Sequence, residues 1–279
     1  MKEVVIGNVH VGGQNPLALI AGPCVIETEE GCFDTAMALR DMTQDLGFPF
    51  IFKTSYDKAN RSSGDSYRGP GVERGLEVLK RIREELLIPV LTDVHTEEQA
   101  AMAGDVVDAV QVPALLCRQT DLVQAAARTG KPVNIKKGQF MSPYDLPNVI
   151  AKIEACGNTQ IVVTERGTFF GYGAVVNDMR AIPIMQNFGY PVVFDGTHSV
   201  QQPGGEGVSS GGQREFVPVL TRAAVAAGAN AVFLEVHPNP IKALSDGPCM
   251  LFLDDLPKLL SKLLLIDEVV HPHRRAARK

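Results

Sequence analysis

Short apolar runs alternate with stretches of helical periodicity along the whole chain. Each run is followed by an amphipathic stretch such as "GVERGLEVLKRIREEL". Continuous apolar strands separated by helices are typical of a parallel sheet that is covered on its faces. Eight such repeats predict an α/β fold, a closed (β/α)8 TIM barrel, rather than an open doubly wound sheet. The eight runs are "LALIAGPCV", "FPFIFKTSY", "IPVLTDVH", "VVDAVQVPA", "KPVNIKKG", "TQIVVTERG", "YPVVFDGTH" and "NAVFLEVHP".

A different pattern precedes the first repeat. The segment "EVVIGNVHVGG" alternates polar and apolar residues around a central Gly-Asn pair, which is typical of a β-hairpin. Residues 1–13 are therefore predicted to form an N-terminal hairpin at the bottom of the barrel. Because no low-complexity linker divides the sequence, residues 1–279 are predicted to form one domain. Several helices are expected to end at a glycine, namely at Gly47, Gly130, Gly157, Gly189 and Gly228.

Composition narrows the class of protein. Hydrophobic residues make up 45% and charged residues 21% of the chain, which is typical of a globular protein. The net charge of -5 argues against non-specific binding to nucleic acid. No apolar run reaches the roughly 18 residues of a membrane span, and no signal peptide is recognisable at the N-terminus. Five scattered cysteines do not suggest a disulfide framework. We therefore expect a soluble, reduced, cytoplasmic protein without nucleic-acid or membrane partners.

Cationic residues recur where the predicted strands end. In a barrel of this kind, active sites lie on the loops that lead from strands into helices. A lone lysine there is usually a solvated charge, but five cations at such positions favour a site for phosphate or carboxylate groups. The five cations are Lys53, Lys58, Arg61, Lys136 and Arg166.

A second set of residues has the donors of a metal site. Cys24, His198, Glu235 and Asp246 offer a thiolate, an imidazole and two carboxylates, a mixed sphere suited to a divalent transition metal. They follow the first, seventh and eighth strands, and a closed barrel makes the first and eighth strands neighbours. Cys24 could instead be a small core residue, and His198 a structural residue or general base. His237 could replace Glu235, because both lie on the same face of a strand.

A long loop follows the seventh strand. The segment "SVQQPGGEGVSSGGQREFV" is rich in glycine and serine and covers residues 199–217. Long loops of this kind on an active face are often lids, so a mobile lid is predicted here.

The strand ends also resemble a known family. The chain is similar to the 3-deoxy-D-manno-octulosonate 8-phosphate synthases over nearly its whole length. The motif "KANRSS" is the most specific, since enzymes that make 3-deoxy-D-arabino-heptulosonate 7-phosphate have a stretch closer to Lys-Pro-Arg followed by Thr or Ser. The matching segments include "IAGPCVIE", "FKTSYDKANRSS", "SYRGPGVERGL", "TDVH", "VDAVQVPALLCRQTDL", "VNIKKGQFMSP", "TERGTFFGYG", "VVFDGTHSVQ", "SGGQREFV" and "HPNPIKALSDGP".

The resemblance implies a reaction. Phosphoenolpyruvate, arabinose 5-phosphate and water would give the eight-carbon sugar acid phosphate and inorganic phosphate, for lipopolysaccharide synthesis. It also implies a (β/α)8 barrel and a homotetramer. The alternatives are the seven-carbon synthase that uses erythrose 4-phosphate, a more remote sialic-acid-type synthase, and a non-catalytic phosphosugar-binding barrel.

Residue roles carry over by motif. The resemblance implies that Lys136 and Arg166 hold the phosphoenolpyruvate phosphate, with help from Ser55 and the backbone near Ala114. Lys58 would act between the two substrates. The remaining substrate-binding positions are Asn60, Arg61 and Ser62 for arabinose 5-phosphate, and Lys53, Asp93 and Gln111 along the site.

The family has a metal-dependent and a metal-independent branch, and the latter has Asn where this chain has Cys24. Cys24, His198, Glu235 and Asp246 match the metal-dependent set, so the resemblance implies Zn, Fe, Mn or Co as cofactor. With Lys58, three of them (Cys24, His198 and Asp246) are the implied catalytic residues. The segment from Asp246 onward also resembles the other branch, although Ser245 precedes it.

Overall fold

A computed structural model describes residues 1–59, 66–169, 175–202 and 211–273. The strands are β1 (Glu3–Ile6), β2 (Val9–Gly12), β3 (Ala18–Gly22), β4 (Phe50–Lys53), β5 (Val90–Asp93), β6 (Ala109–Val112), β7 (Val133–Lys136), β8 (Ile161–Glu165), β9 (Thr168–Phe169), β10 (Val175–Val176), β11 (Val192–Asp195), β12 (Gln201–Gln202), β13 (Gly211–Gly212), β14 (Ala231–His237) and β15 (Leu251–Phe252). Eight parallel strands close the barrel: β3 to β8 are followed by β11 and β14, and β14 pairs back onto β3. The predicted (β/α)8 barrel is therefore confirmed.

An α-helix follows each barrel strand and covers the outside of the sheet. Thr28 caps the first helix by accepting a hydrogen bond from the Gly31 amide at 3.2 Å. At its other end Gly47 has a φ of 64°, and all five glycines predicted to end helices have positive φ. The helices are α1 (Glu29–Leu46), α2 (Val72–Leu86), α3 (Glu97–Val106), α4 (Thr120–Arg128), α5 (Leu146–Glu154), α6 (Ala181–Gln186), α7 (Val217–Ala226) and α8 (Leu256–Val270).

The core has two layers, because every residue of strands such as β3 and β8 is buried. One layer packs between the sheet and the helices, and the other fills the barrel interior. Apolar residues on both faces are what a parallel sheet covered by helices requires.

The N-terminal hairpin closes the bottom of the barrel, as predicted. Strands β1 and β2 pair antiparallel with Ile6 opposite Val9. Their apolar side chains join the interior layer, beside residues such as Ile20 and Phe233. Gly7 lies against Pro89, just before β5, so the hairpin covers the end of the barrel opposite the strand C-termini.

Within the described ranges, no helix has both the length and the apolar character needed to cross a membrane. All five cysteines are free thiols.

Candidate active site

The C-terminal ends of the barrel strands gather most of the predicted site residues into one buried cleft. Lys53 and Asp93 end β4 and β5, Lys136 ends β7, and Glu235 lies near the end of β14. Three predicted residues for arabinose 5-phosphate, Asn60, Arg61 and Ser62, lie outside the described residues, as do residues 203–210 of the predicted lid.

Two lysines share one serine and one carboxylate at the centre of the cleft. The Lys53 ammonium donates to Ser55 Oγ at 2.9 Å and to Glu235 Oε1 at 3.2 Å. The Lys58 ammonium also donates to Ser55 Oγ at 2.9 Å and lies 3.8 Å from Glu235 Oε1. Burial by itself would raise the pKa of Glu235, but nearby cationic side chains hold it well below its usual range. The two neighbouring ammonium groups are thus balanced by a buried carboxylate.

Asp93 connects this centre to a histidine. Its Oδ1 accepts from Ser55 Oγ at 2.5 Å, and its Oδ2 lies 3.1 Å from His95 Nε2. The other ring nitrogen of His95 lies 3.2 Å from Gln99 Oε1, which also accepts from the Tyr56 hydroxyl. Burial would raise the pKa of Asp93, but the Lys53 charge and the His95 hydrogen bond hold it well below its usual range. Asp93 is therefore an anion fixed on both sides.

Lys136, at the end of β7, is paired with a buried carboxylate at the end of β11, two strands along the barrel. Its ammonium donates to Asp195 Oδ2 at 2.6 Å and lies 3.7 Å from the centre of the Phe233 ring. The same Asp195 oxygen lies 2.8 Å from His198 Nδ1. Burial would raise the pKa of Asp195, but His198 and Lys136 hold it well below its usual range, while burial lowers the pKa of Lys136. Asp195 thus orients both side chains.

Arg166 lies beside this group, and only 4% of it is exposed. Its Nη2 donates to Gln201 Oε1 at 2.8 Å. Its Nη1 is buried and makes no hydrogen bond to any described residue. A buried guanidinium with an unused donor is suited to an anionic ligand.

Gln111 and Ala114 are placed by β6. Asn134 Nδ2 donates to Gln111 Oε1 at 3.0 Å, which fixes the buried Gln111 side chain inside the barrel. Ala114 begins a 3-10 turn just beyond the strand, which runs from Ala114 to Leu116. Gln111 therefore lies inside the barrel near the end of β6, and Ala114 lies just beyond this end.

Three of the four predicted metal ligands converge. Ligand atoms of Cys24, Glu235 and Asp246 all lie within 4.8 Å of one another. Glu235 pairs in register with Gly22, so the closure of the barrel between β14 and β3 brings Cys24 to this carboxylate. The Cys24 thiol donates to Asp246 Oδ2 at 3.2 Å and lies 2.8 Å from Ser245 Oγ. Burial and the Glu235 charge raise the pKa of this thiol well above its usual value, so a cation is needed to hold the thiolate.

The two histidines near this cluster differ in their surroundings. His198 lies outside the cluster of three, but its Nε2 is 3.7 Å from Glu235 Oε2. His237 Nδ1 accepts from the Asn239 amide at 2.9 Å, and its Nε2 lies 3.6 Å from Glu27. The geometry therefore favours Glu235 over His237, the alternative that periodicity left open.

Two further observations indicate that these donors could hold a metal ion. Glu235 Oε2 is buried, and it makes no hydrogen bond to any residue in the described part of the chain. Asp246 has a φ of 47°, a left-handed conformation that is uncommon for residues other than glycine and that is often found at functional sites. Thiolate, carboxylate and imidazole together suit a divalent transition metal.

Sequence reasoning did not assign a role to several residues of the cleft. Asp195 and His95 stand at strand ends, so the rule that selected their neighbours could have found them. Ser245 lies in the loop after β14, and Gln201 begins the short strand β12. Only the folded chain shows that they contact Cys24 and Arg166.

The fold and the site define a class, the (β/α)8 enzymes that gather anion-binding cations and potential metal ligands at one barrel mouth. A family model described as the DAHP synthetase I family matches residues 2–270. The chain belongs to this family. Together with the name shared by the relatives below, this confirms the resemblance drawn from the strand ends.

Three relatives carry the name 2-dehydro-3-deoxyphosphooctonate aldolase. The protein of Geobacter sp. strain M21 is 56% identical over 97% of this chain and 99% of its own length. That of Geobacter metallireducens is 58% identical over 96% of this chain and 99% of its own length. That of Geotalea uraniireducens is 57% identical over 97% of this chain and 99% of its own length.

Proposed function

We propose that the chain is the enzyme that condenses phosphoenolpyruvate with arabinose 5-phosphate and water. The products are 3-deoxy-D-manno-octulosonate 8-phosphate and inorganic phosphate, and the pathway served is lipopolysaccharide synthesis. The observation that carries the proposal is the set of cations, Lys53, Lys58, Lys136 and Arg166, that the strand ends direct into one buried cleft. The name shared by full-length relatives more than half identical supports the choice of reaction.

Lys136 and Arg166, here called the phosphate clamp, bind the phosphoenolpyruvate phosphate. Lys136 is already desolvated beside Asp195, and Arg166 has a buried donor without a described partner. Burial strengthens the attraction between these cations and a phosphate, because little water screens the charges. Ser55 and the backbone near Ala114 assist on the strength of the family resemblance.

Lys58 binds the phosphoenolpyruvate carboxylate and faces the second substrate. Its ammonium is anchored by Ser55 and Glu235, and the network of Lys53 and Asp93 holds those anchors in place. Asn60, Arg61 and Ser62 bind arabinose 5-phosphate, a role that rests on the motif alone. Gln111 lines the cleft.

In the reaction, C3 of phosphoenolpyruvate attacks the aldehyde carbon of arabinose 5-phosphate and forms the new carbon–carbon bond. Water adds to the resulting cationic centre at C2, and the proton that it loses is balanced by the proton that the former aldehyde oxygen takes up. The tetrahedral intermediate then breaks its C2–O bond to the phosphorus-bound oxygen, and phosphate leaves with that oxygen. The C2 hydroxyl loses its proton to the departing phosphate and becomes the ketone. By fixing both substrates, the lysines and Arg166 supply orientation, which can be worth about 7–11 kcal/mol in favourable systems.

Cys24, His198, Glu235 and Asp246 would hold a divalent metal, with Zn, Fe, Mn and Co as candidates. When bound, the metal would polarise the aldehyde or lower the pKa of water. The support is the cluster of three donors and the buried Glu235 Oε2 beside His198.

The proposed assembly is a homotetramer in the cytoplasm. The family resemblance supports both the assembly and the location. Leu115 and Phe140, exposed apolar side chains that follow β6 and β7, are available for a contact between subunits.

One assay tests the reaction. Purified protein is incubated with phosphoenolpyruvate and either arabinose 5-phosphate or erythrose 4-phosphate, with and without a chelator, and phosphate release is measured. Release with arabinose 5-phosphate that falls on metal removal is expected. Preference for erythrose 4-phosphate would indicate the seven-carbon synthase, and no turnover with either sugar would indicate a binding protein. Full activity after thorough metal removal would refute the metal site alone.

A further inference from the structure

Two adjacent charged residues stand at the end of β7, and two more stand at the end of β8. The proposed reaction uses one residue of each pair. Lys136 and Arg166 form the phosphate clamp, whereas Lys137 and Glu165 have no part in it. The alternation of side chains at a strand end directs Lys137 and Glu165 away from the cleft. These two residues, here called the outer pair, lie 3.6 Å apart, and both are buried.

Lys137 joins the two loops that follow these strands. Its ammonium lies between the carbonyl oxygens of Gly138 and Met141, at 3.3 and 3.2 Å, in the loop after β7. It also lies between the Gly167 carbonyl oxygen and Thr168 Oγ1, at 3.3 and 3.1 Å, in the loop after β8. One side chain therefore fixes the separation of the two loops.

Glu165 holds the backbone on which Arg166 stands. Its Oε1 accepts from the Arg166 amide at 3.1 Å and from the Gly167 amide at 2.6 Å. Gly167 has a φ of 89°, so the chain turns sharply directly after Arg166. The carboxylate that pairs with Lys137 thus also sets the direction in which the Arg166 side chain leaves the strand.

A purely stabilising role explains this pair poorly. Two buried charges lose their hydration, and replacing such a pair by apolar residues is often neutral or stabilising. Burial lowers the pKa of Lys137 and raises that of Glu165, so burial disfavours the charged form of both side chains. What the pair provides is a fixed geometry between β7 and β8.

We propose that Lys137 and Glu165 are positioning residues that set the distance and orientation between Lys136 and Arg166 for the substrate phosphate. The inference rests on the proposed function, because it assumes that these two cations bind the phosphate of phosphoenolpyruvate. Neither residue of the outer pair touches substrate.

Steady-state kinetics of Glu165→Gln and Lys137→Met test the proposal. The glutamine keeps an oxygen for the two backbone amides and removes only the charge. We expect the KM for phosphoenolpyruvate, and the inhibition constant of inorganic phosphate, to rise about tenfold in Glu165→Gln and more in Lys137→Met, because small misplacements at a reacting site cost up to about 100-fold. The KM for arabinose 5-phosphate should change less than about twofold. Lys137→Arg should restore part of the affinity.

Lys80→Met is the matched control, since Lys80 is exposed on α2, and it should leave every constant unchanged. If Lys137→Met does not fold, Thr168→Val removes a single Lys137 contact. It should raise the KM for phosphoenolpyruvate and the phosphate inhibition constant together, by less than Glu165→Gln does, and leave the KM for arabinose 5-phosphate unchanged. Unchanged phosphoenolpyruvate and phosphate constants in folded Glu165→Gln would overturn the proposal, as would equal changes for both substrates. A wild-type protein that does not turn over phosphoenolpyruvate would instead refute the proposed function.

Discussion

Asp195 Oδ2 lies 2.6 Å from the Lys136 ammonium, and the carboxylate is wholly buried. The same oxygen lies 2.8 Å from His198 Nδ1. The other ring nitrogen, Nε2, lies 3.7 Å from Glu235 Oε2. A hydrogen bond donated by Nδ1 to Asp195 selects the tautomer in which Nε2 is the nitrogen that can bind a metal. One carboxylate thus connects the phosphate clamp to the proposed metal site.

Replacing Asp195 should therefore affect both halves of the cleft. In Asp195→Asn the neutral amide no longer balances Lys136 or favours the required tautomer of His198. Metal affinity should fall about 10- to 100-fold, as for other residues that orient a metal ligand. Titration of the metal-free protein with Co2+ or Zn2+ measures this, alongside phosphate release. Asp178→Asn, which removes an exposed acid bonded to Arg180, is the control and should change neither value. Wild-type metal affinity in folded Asp195→Asn would contradict the role.

Substitutions of Cys24 test the proposed metal dependence. Cys24→Ala removes the thiol and should abolish metal-dependent activity. Cys24→Asn should retain some activity without metal, since the family resemblance implies Asn at this position in the metal-independent branch. Activity is measured with and without chelator, and metal content is measured after dialysis. Cys32→Ala is the control, because Cys32 is a buried thiol outside the cleft whose pKa burial raises to about 12. Full metal-dependent activity in Cys24→Ala would count against ligation.

The fold was predictable because its determinants are local. Each strand such as β11 is a short apolar run, and each helix shows its own period and often ends at a glycine. Eight local patterns, together with the preference for parallel packing, leave few arrangements. The hairpin was predictable for the same reason, from the turn at Gly7 and the alternation on either side.

A site residue was predictable only where its position at the end of a strand was enough to place it at the barrel mouth. The position of Lys136 indicated a cation at the mouth, but not that Asp195, two strands away, would neutralise it. Periodicity could not choose between Glu235 and His237, and the choice depends on loop contacts made by His237 to Asn239. The partnership of Cys24 with Ser245 joins residues 221 positions apart, so only tertiary packing reveals it.

His95 should make stability depend on pH. Burial by itself lowers the pKa of His95, but the hydrogen bond and charge of Asp93 outweigh this, so its pKa is raised. A raised pKa in the folded state contributes stability that is fully present below the unfolded pKa of about 6.5 and is lost as the pH rises through the folded value. We expect His95→Gln to cost about 1.5–3 kcal/mol at pH 5.5, the range for a hydrogen bond to a charged group, and less at pH 9.

Urea unfolding of both proteins at several pH values measures this difference. His10→Gln is the control, because His10 is exposed on the hairpin, far from the cleft. A penalty for His95→Gln that grows with pH would show that the sign is wrong.

Gly22 should be intolerant of any side chain, because β3 approaches β4 closely just before Cys24. A Cβ at Gly22 would overlap the carbonyl oxygen of Lys53. In Gly22→Ala the end of β4 must shift, which should cost at least the roughly 1–3 kcal/mol of an overpacked core and should lower activity by displacing the Lys53 ammonium.

Gly47→Ala separates this steric effect from conformational strain. Gly47 has a φ of 64° with no atom within 4 Å of the position of its Cβ, so alanine there costs about 1–2 kcal/mol of backbone strain at the end of α1 and meets no neighbour. Urea unfolding and phosphate release of the two variants should therefore diverge: both lose stability, but only Gly22→Ala loses activity per folded molecule. Equal activity in the two folded variants would mean that the spacing of β3 and β4 does not position Lys53, and that the cleft tolerates movement of this cation.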